Sequence, residues 1–192
     1  MNGLPTLVTP RLLLRPFQRR DRYDVQRILS NPQVNATLLD IPVPFSLDHA
    51  ELWIQAARDG MRQGIVFPFA LVLKRDGWLL GCADIELQAD HNRGDIAYWL
   101  DPAYWGQGYT SEAASRIIDW GFEQLELHRV YAQCLHSNIA SAKVMQNAGL
   151  THEAFQRQSI IKDGQFMDID IYGLTRDMWE ARRRKDPPAT GI

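Results

Sequence analysis

The residues from 99 to 113 read Trp99-Leu100-Asp101-Pro102-Ala103-Tyr104-Trp105-Gly106-Gln107-Gly108-Tyr109-Thr110-Ser111-Glu112-Ala113. Their order is a strand, a Gly-containing loop and a helix start. Such a junction aims unpaired backbone N–H groups at one spot, with the positive end of the helix dipole behind them. The chemistry that suits it is anion binding, of phosphate or pyrophosphate. Gly106 and Gly108 let the backbone turn tightly and approach a ligand without a Cβ in the way. Two glycines before a helix also make an ordinary tight turn, so the surroundings must decide. No G-x-G-x-x-G follows the first strand and no Gly-Lys-Ser/Thr ends the loop, so a dinucleotide fold and a P-loop both fit poorly.

Other side chains with chemical potential are scattered. Asn138 is a natural N-cap, and Ser141 follows it in the first turn of the same helix. Asp84, Glu86, Asp95 and His136 are the candidates for a general base, each also able to be a solvated or paired side chain. No His-rich or carboxylate cluster marks a metal site. The two cysteines, Cys82 and Cys134, lie in apolar segments and read as buried thiols.

The elements that must position these residues follow from periodicity. Leu7 to Phe17 reads as a first strand, and Asp21 caps a short helix through Leu29. Ser46 opens a helix with Ala50, Trp53, Ile54 and Ala57 on one face, ending near Gly64. Strands at 67–74 and 78–87 flank Arg75-Asp76-Gly77, a hairpin signal, and a third covers 94–101. Ala114, Ile117, Ile118, Gly121, Phe122 and Leu125 mark one helical face. Then come a strand at 129–135, a helix from about Asn138 to Asn147 closed by Gly149, and strands at 154–161 and 166–173 around Asp163-Gly164. Thr175 opens a last helix. Hairpins combined with a strand–helix–strand crossover predict an α/β (α+β mixed) fold on a central mixed sheet.

Composition excludes several classes. The 192 residues are 45% hydrophobic and 23% charged, which suits one domain over 1–192 with a disordered tail from about 186. A net charge of -2 argues against a nucleic-acid partner. The basic run Arg182-Arg183-Arg184-Lys185 reads as a solvated last helical turn. No leader-like start and no membrane-length apolar run predict a cytoplasmic protein without a membrane partner.

Four ordered segments resemble the GCN5-related N-acetyltransferases, and among them the ribosomal-protein N-terminal (Rim-like) branch. They are Thr9-Pro10-Arg11-Leu12-Leu13-Leu14-Arg15-Pro16, Gly94 to Pro102, Tyr104 to Ala113, and Asn138 to Leu150. The resemblance spans nearly the whole chain. It implies a mostly antiparallel mixed sheet of about seven strands, splayed between the fourth (94–101) and fifth (129–135) and flanked by helices. It also implies acetyl-CoA as co-substrate, no metal, and an amine-bearing acceptor, either a protein N-terminus or a small molecule. Relatives often form homodimers.

Residue by residue, the resemblance places the coenzyme pyrophosphate on the amides of Gln107, Gly108, Tyr109, Thr110, Ser111 and Glu112. Thr110 departs from the family's Gly or Ala. Trp99 and Leu100 match the residues whose backbone pairs with the pantetheine arm and faces the thioester oxygen, an effect worth roughly 3–4 kcal/mol where measured. Asn138 lines the cleft, and Ser141 matches an acid that protonates the departing thiolate. Gln133 stands where some relatives carry a glutamate base. Freeing an α-amine at pH 7 costs about 1 kcal/mol and a lysine roughly 4–5 kcal/mol, so a site without an evident strong base suits α-amines. The expected activity is N-acetyl transfer to an amine by direct attack in a ternary complex. The alternative is a non-catalytic acyl-CoA-binding module on the same fold.

Overall fold

The computed structural model describes residues 4–39 and 41–185; the expected tail at 186–192 lies outside them. The strands are β1 (Leu7–Val8), β2 (Leu12–Pro16), β3 (Phe69–Leu73), β4 (Leu79–Gln88), β5 (Arg93–Leu100), β6 (Arg129–Leu135), β7 (Thr151–Lys162) and β8 (Gln165–Thr175). They form one eight-stranded sheet in the order β1-β2-β3-β4-β5-β6-β8-β7. The helices are α1 (Arg22–Leu29), α2 (Pro32–Asn35), α3 (Leu47–Gln63), α4 (Tyr109–Gln124), α5 (Ile139–Asn147) and α6 (Arg176–Lys185).

The count exceeds the expected seven strands because the first one is broken. Pro10 cannot donate to a ladder. The Thr9 hydroxyl instead accepts from the Leu12 N–H at 2.9 Å, turning the chain so that β1 folds back on β2. Every neighbouring pair is antiparallel except β5 and β6, which run parallel across α4.

The parallel pair is short. Its register covers Arg93↔Arg129, Gly94↔Val130 and Asp95↔Tyr131 only. From Ile96 onward β5 has no strand beside it on that side among the described residues, which is the expected splay.

The sheet separates two apolar layers. α4, α5 and α6 bury Ile117, Ile118, Phe122, Met145 and Trp179 against Ile85, Ile96 and Leu100. On the opposite face α1 and α3 bury Val25, Ile28 and Ile54 with Phe17 and Trp99. Each large side chain so buried contributes about 1.5–3 kcal/mol. The two layers hold β5 from both sides, so its free edge stays open without loss of order. α3 starts as its sequence predicts: the Ser46 hydroxyl accepts from the His49 N–H at 3.1 Å, and Gly64 ends the helix at φ 70°.

Candidate active site

The loop between β5 and α4 is shaped by two left-handed glycines, Gly106 (φ 71°) and Gly108 (φ 80°). A side chain in that conformation costs roughly 1–2 kcal/mol. Asp101 anchors the loop's entry, accepting from the Ala103 N–H at 3.0 Å and from Arg27 of α1. Among the described residues, the backbone N–H groups from Gly106 through Ser111 donate no hydrogen bond. This row of unspent donors opens a sixteen-residue helix and therefore adds to its dipole.

Glu112 differs from its expected role. Its N–H is spent on the Gly108 carbonyl at 3.0 Å, the first bond of the helical ladder, so it leaves no amide for an anion. Its carboxylate accepts from the Thr9 hydroxyl at 2.5 Å and from the Arg11 N–H at 2.9 Å.

The splay gives β5 a free edge, and strand geometry decides which residues use it. In an antiparallel pair alternate residues direct both backbone groups to the same neighbour. The Asp101 N–H donates to Leu80 at 2.8 Å, on the β4 side. Two residues back, Trp99 lies opposite Cys82 and its carbonyl points into the space beside Gly81. Trp99 is therefore committed to β4. Leu100 and Tyr98 face the slot in its place. The Leu100 carbonyl already accepts from the Trp105 indole N–H at 2.9 Å, which leaves the Leu100 N–H and both Tyr98 groups for an extended ligand.

At the floor of the slot, Asn138 caps α5 by accepting from the Ser141 N–H at 3.1 Å. The Ser141 hydroxyl lies 2.9 Å from the Tyr98 hydroxyl, which also donates to the Ser141 carbonyl at 3.0 Å. Burial, partly offset by the Ser141 bond, pushes the Tyr98 phenol well above its usual range. The Cys134 thiol, beside Ser141, is pushed up by burial to about 11. Both groups thus stay protonated near neutral pH.

Residues 11–151 match the acetyltransferase (GNAT) domain. The chain belongs to this family. It is 28% identical over 174 residues to the uncharacterized N-acetyltransferase YnaD of Bacillus subtilis, covering 90% of this chain and 98% of that one. It is 23% identical over 154 residues to the Escherichia coli spermidine N(1)-acetyltransferase, covering 80% of each. Its fold matches Mycobacterium smegmatis RimJ in complex with CoA-disulfide with a TM-score of 0.81 at 21% identity, over 94% of this chain and 96% of that chain.

In this GNAT chain the face of β4 and β5 turned away from α4 carries the acidic side chains. Asp84 lies opposite Ala97 and Glu86 opposite Asp95, so by the two-residue period all share the face of Trp99. Burial, reinforced by the charges of Asp95 and Glu86, raises Asp84 to about 8. Asp95 is raised to about 6 by burial, against a bond from the Tyr131 hydroxyl. Gln133 shares this face, two residues beyond Tyr131, and is exposed. His136 does not: it is 2.8 Å from Asp170, which lies opposite Cys134 on the α5 side, and His152 binds the same carboxylate at 2.8 Å. His136 therefore stands on the other side of the sheet from Asp84, Glu86 and Asp95.

Two segments far apart in the chain meet at the end of the β7–β8 hairpin. Lys162, at the tip of the β7–β8 hairpin, donates to the carbonyls of Asn35 at 3.2 Å and Leu38 at 2.6 Å. The segment from Pro32 to Ser46 and the loop at 162–165 are thereby joined. Tyr98, Trp105 and Arg11 were not singled out as functional from sequence, although each lies inside a quoted motif. Their partners are distant in sequence or set by strand parity.

Proposed function

We propose that the chain transfers the acetyl group of acetyl-CoA to a primary amine by direct attack in a ternary complex. The observation that carries this is the free edge of β5 running straight into a row of unspent amides. A ligand with an extended amide-bearing arm and a pyrophosphate head fits that pair of features, and coenzyme A has both. The amides from Gln107 to Ser111 hold the pyrophosphate, while Tyr98 and Leu100 pair with the arm. Asn138 lines the cleft at its floor, beside Ser141. When bound, the coenzyme supplies an acetyl group activated as a thioester.

The chain's own groups move the protons. Asp84 accepts one from the acceptor ammonium on the acidic face. The Ser141 hydroxyl, which donates to Tyr98 in the free protein, turns its proton to the departing thiolate when the coenzyme is bound. A carboxylate with a pKa of about 8 nearly matches an α-ammonium at 7.7–8.0, so that transfer is close to thermoneutral. From a lysine ammonium it costs roughly 3 kcal/mol more. An α-amine, as on a protein N-terminus, is therefore the favoured acceptor.

The test is thermal unfolding with and without acetyl-CoA, for wild type and Gly108→Asp, followed by acetyl-CoA consumption against a panel of amines. At a hundredfold excess over Kd, a ligand of the native state adds about 2.7 kcal/mol. An upward shift lost in a folded Gly108→Asp protein supports the coenzyme site, and turnover with α-amines supports the acceptor class. Absence of a shift in wild type overturns the proposal.

A further inference from the structure

The Thr9-Pro10-Arg11 turn between β1 and β2 has no part in the scheme above, yet it makes a dense set of polar contacts at the β5–α4 loop. Glu112 accepts from the Thr9 hydroxyl and the Arg11 N–H through one carboxylate oxygen, and from Arg11 Nε at 2.6 Å through the other. Arg11 Nη1 donates to the Gln107 carbonyl at 2.9 Å. The guanidinium also lies 4.3 Å above the centre of the Tyr109 ring. From the other side Lys74 fixes the turn, its N–H donating to the Arg11 carbonyl at 3.0 Å and its ammonium to the Thr9 carbonyl. The turn is thus bolted to Glu112, 101 positions from Arg11, and to Gln107, 96 positions away.

A guanidinium has five N–H donors. These contacts use two, on Nε and Nη1. The other three have no acceptor among the described residues. A Cβ built on Gly108 would stand 3.5 Å from Arg11 Nη2, so the unused edge lies beside the residue in the middle of the free amide row. Without Arg11, the Glu112 carboxylate would put an uncancelled negative charge on the residue that directly follows that row. Burial favours its neutral form, but the bonds from Thr9 and Arg11 outweigh burial and keep it ionised. Glu112 therefore orients a cation toward the loop while that cation cancels its own repulsion of an anion.

We propose that Arg11 is a ligand of the coenzyme's pyrophosphate, with Glu112 and Thr9 as the positioning residues that deliver it. This rests on the proposal that the coenzyme occupies the loop. A planar fork with free donors recognises phosphate oxygens better than a point charge does.

The experiment is calorimetric binding to wild type, Arg11→Gln, Arg11→Lys and Glu112→Gln. The probes are acetyl-CoA, its analogue lacking the 3′-phosphate, and S-acetylpantetheine, which has no phosphate. Arg11→Gln is expected to weaken acetyl-CoA and the 3′-dephospho analogue about tenfold or more and leave acetylpantetheine unchanged. Arg11→Lys should show an intermediate loss, again for the pyrophosphate-bearing probes only. Glu112→Gln keeps an oxygen for the Thr9 hydroxyl and the Arg11 N–H but turns an amide NH2 toward Arg11 Nε. The guanidinium loses its anchor, so the two pyrophosphate-bearing probes should bind more weakly, with acetylpantetheine unchanged. A purely structural latch predicts all three probes losing alike in Arg11→Gln and in Glu112→Gln, and that result overturns the proposal. So does wild-type affinity in Arg11→Gln, or a loss that vanishes without the 3′-phosphate. Should Arg11→Gln fail to fold, the Arg11→Lys and Glu112→Gln losses and their confinement to the pyrophosphate-bearing probes decide. Failure of the coenzyme site itself looks different: wild type would bind no acetyl-CoA, or Gly108→Asp would leave its affinity unaltered.

Discussion

Replacing Asp84 by asparagine is expected to make the protein more stable and less active. Burial, then the charges of Asp95 and Glu86, carry this carboxyl from the ordinary 3.8 to about 8. Between those values the unfolded chain has lost the proton and the folded chain has kept it. The folded state binds more protons, so stability falls as pH rises from about 4 to about 8 and levels off above. At about 1.4 kcal/mol per pH unit, the penalty at pH 7 is at most about 4 kcal/mol. Asparagine keeps the shape and never ionises, so the variant should gain up to that amount at pH 7 and nothing near pH 4. For a chain of this size each kcal/mol is about 2–4 °C in Tm. As a base Asp84 must be ionised, so kcat/KM should climb with pH and flatten above about 8, and the variant should lose about 10²–10⁴ in rate. The assay is a pair of Tm and kcat/KM series from pH 4 to 9 for both proteins, with an α-amine acceptor. An Asp84→Asn protein that is less stable at pH 7, or that retains wild-type turnover with the same pH profile, would refute the assignment.

Two further outcomes concern the walls of the site. In Gly81→Ala the new Cβ would stand 2.1 Å from the Trp99 carbonyl oxygen and 2.9 Å from the Leu100 Cα, both backbone atoms. β4 and β5 must separate, at about 1–3 kcal/mol or more, and a coupled loss of acetyl-CoA affinity is expected; calorimetry and Tm check both, and wild-type values contradict the close approach. Lys162→Ala releases the hairpin tip from Asn35 and Leu38. It should raise KM for the acceptor and leave the acetyl-CoA Kd alone, so the reverse pattern in steady-state kinetics would place the hairpin elsewhere than over the acceptor.

Much of this was legible one element at a time. α4 shows its apolar face at helical spacing, Ser46 and Asn138 are caps of the preferred type, and the Asp163-Gly164 turn takes the left-handed angles of 50° and 75° that its sequence predicts. The basic run at the end of α6 was read from local sequence alone, as a solvated turn. In the fold Arg182 donates to the Ala148 carbonyl at 3.1 Å at the end of α5, and Arg183 lies over Trp179 and pairs with Glu123. Nothing within six residues of these arginines in sequence signals that α5 will end beneath them.

By itself, then, the sequence determined the main elements, their order and the two-glycine loop, because these depend on torsional preference and on spacings of a few residues. The tertiary structure alone decided three things: that Leu100 and Tyr98 rather than Trp99 face the slot, that Asp84 lies in a setting able to move its pKa by several units, and that Arg11 and Glu112 meet. The physical reason is common to all three. Strand register sets which way a backbone group points, burial sets what a charge costs, and an ion pair across a hundred residues exists only after the sheet has brought both ends together.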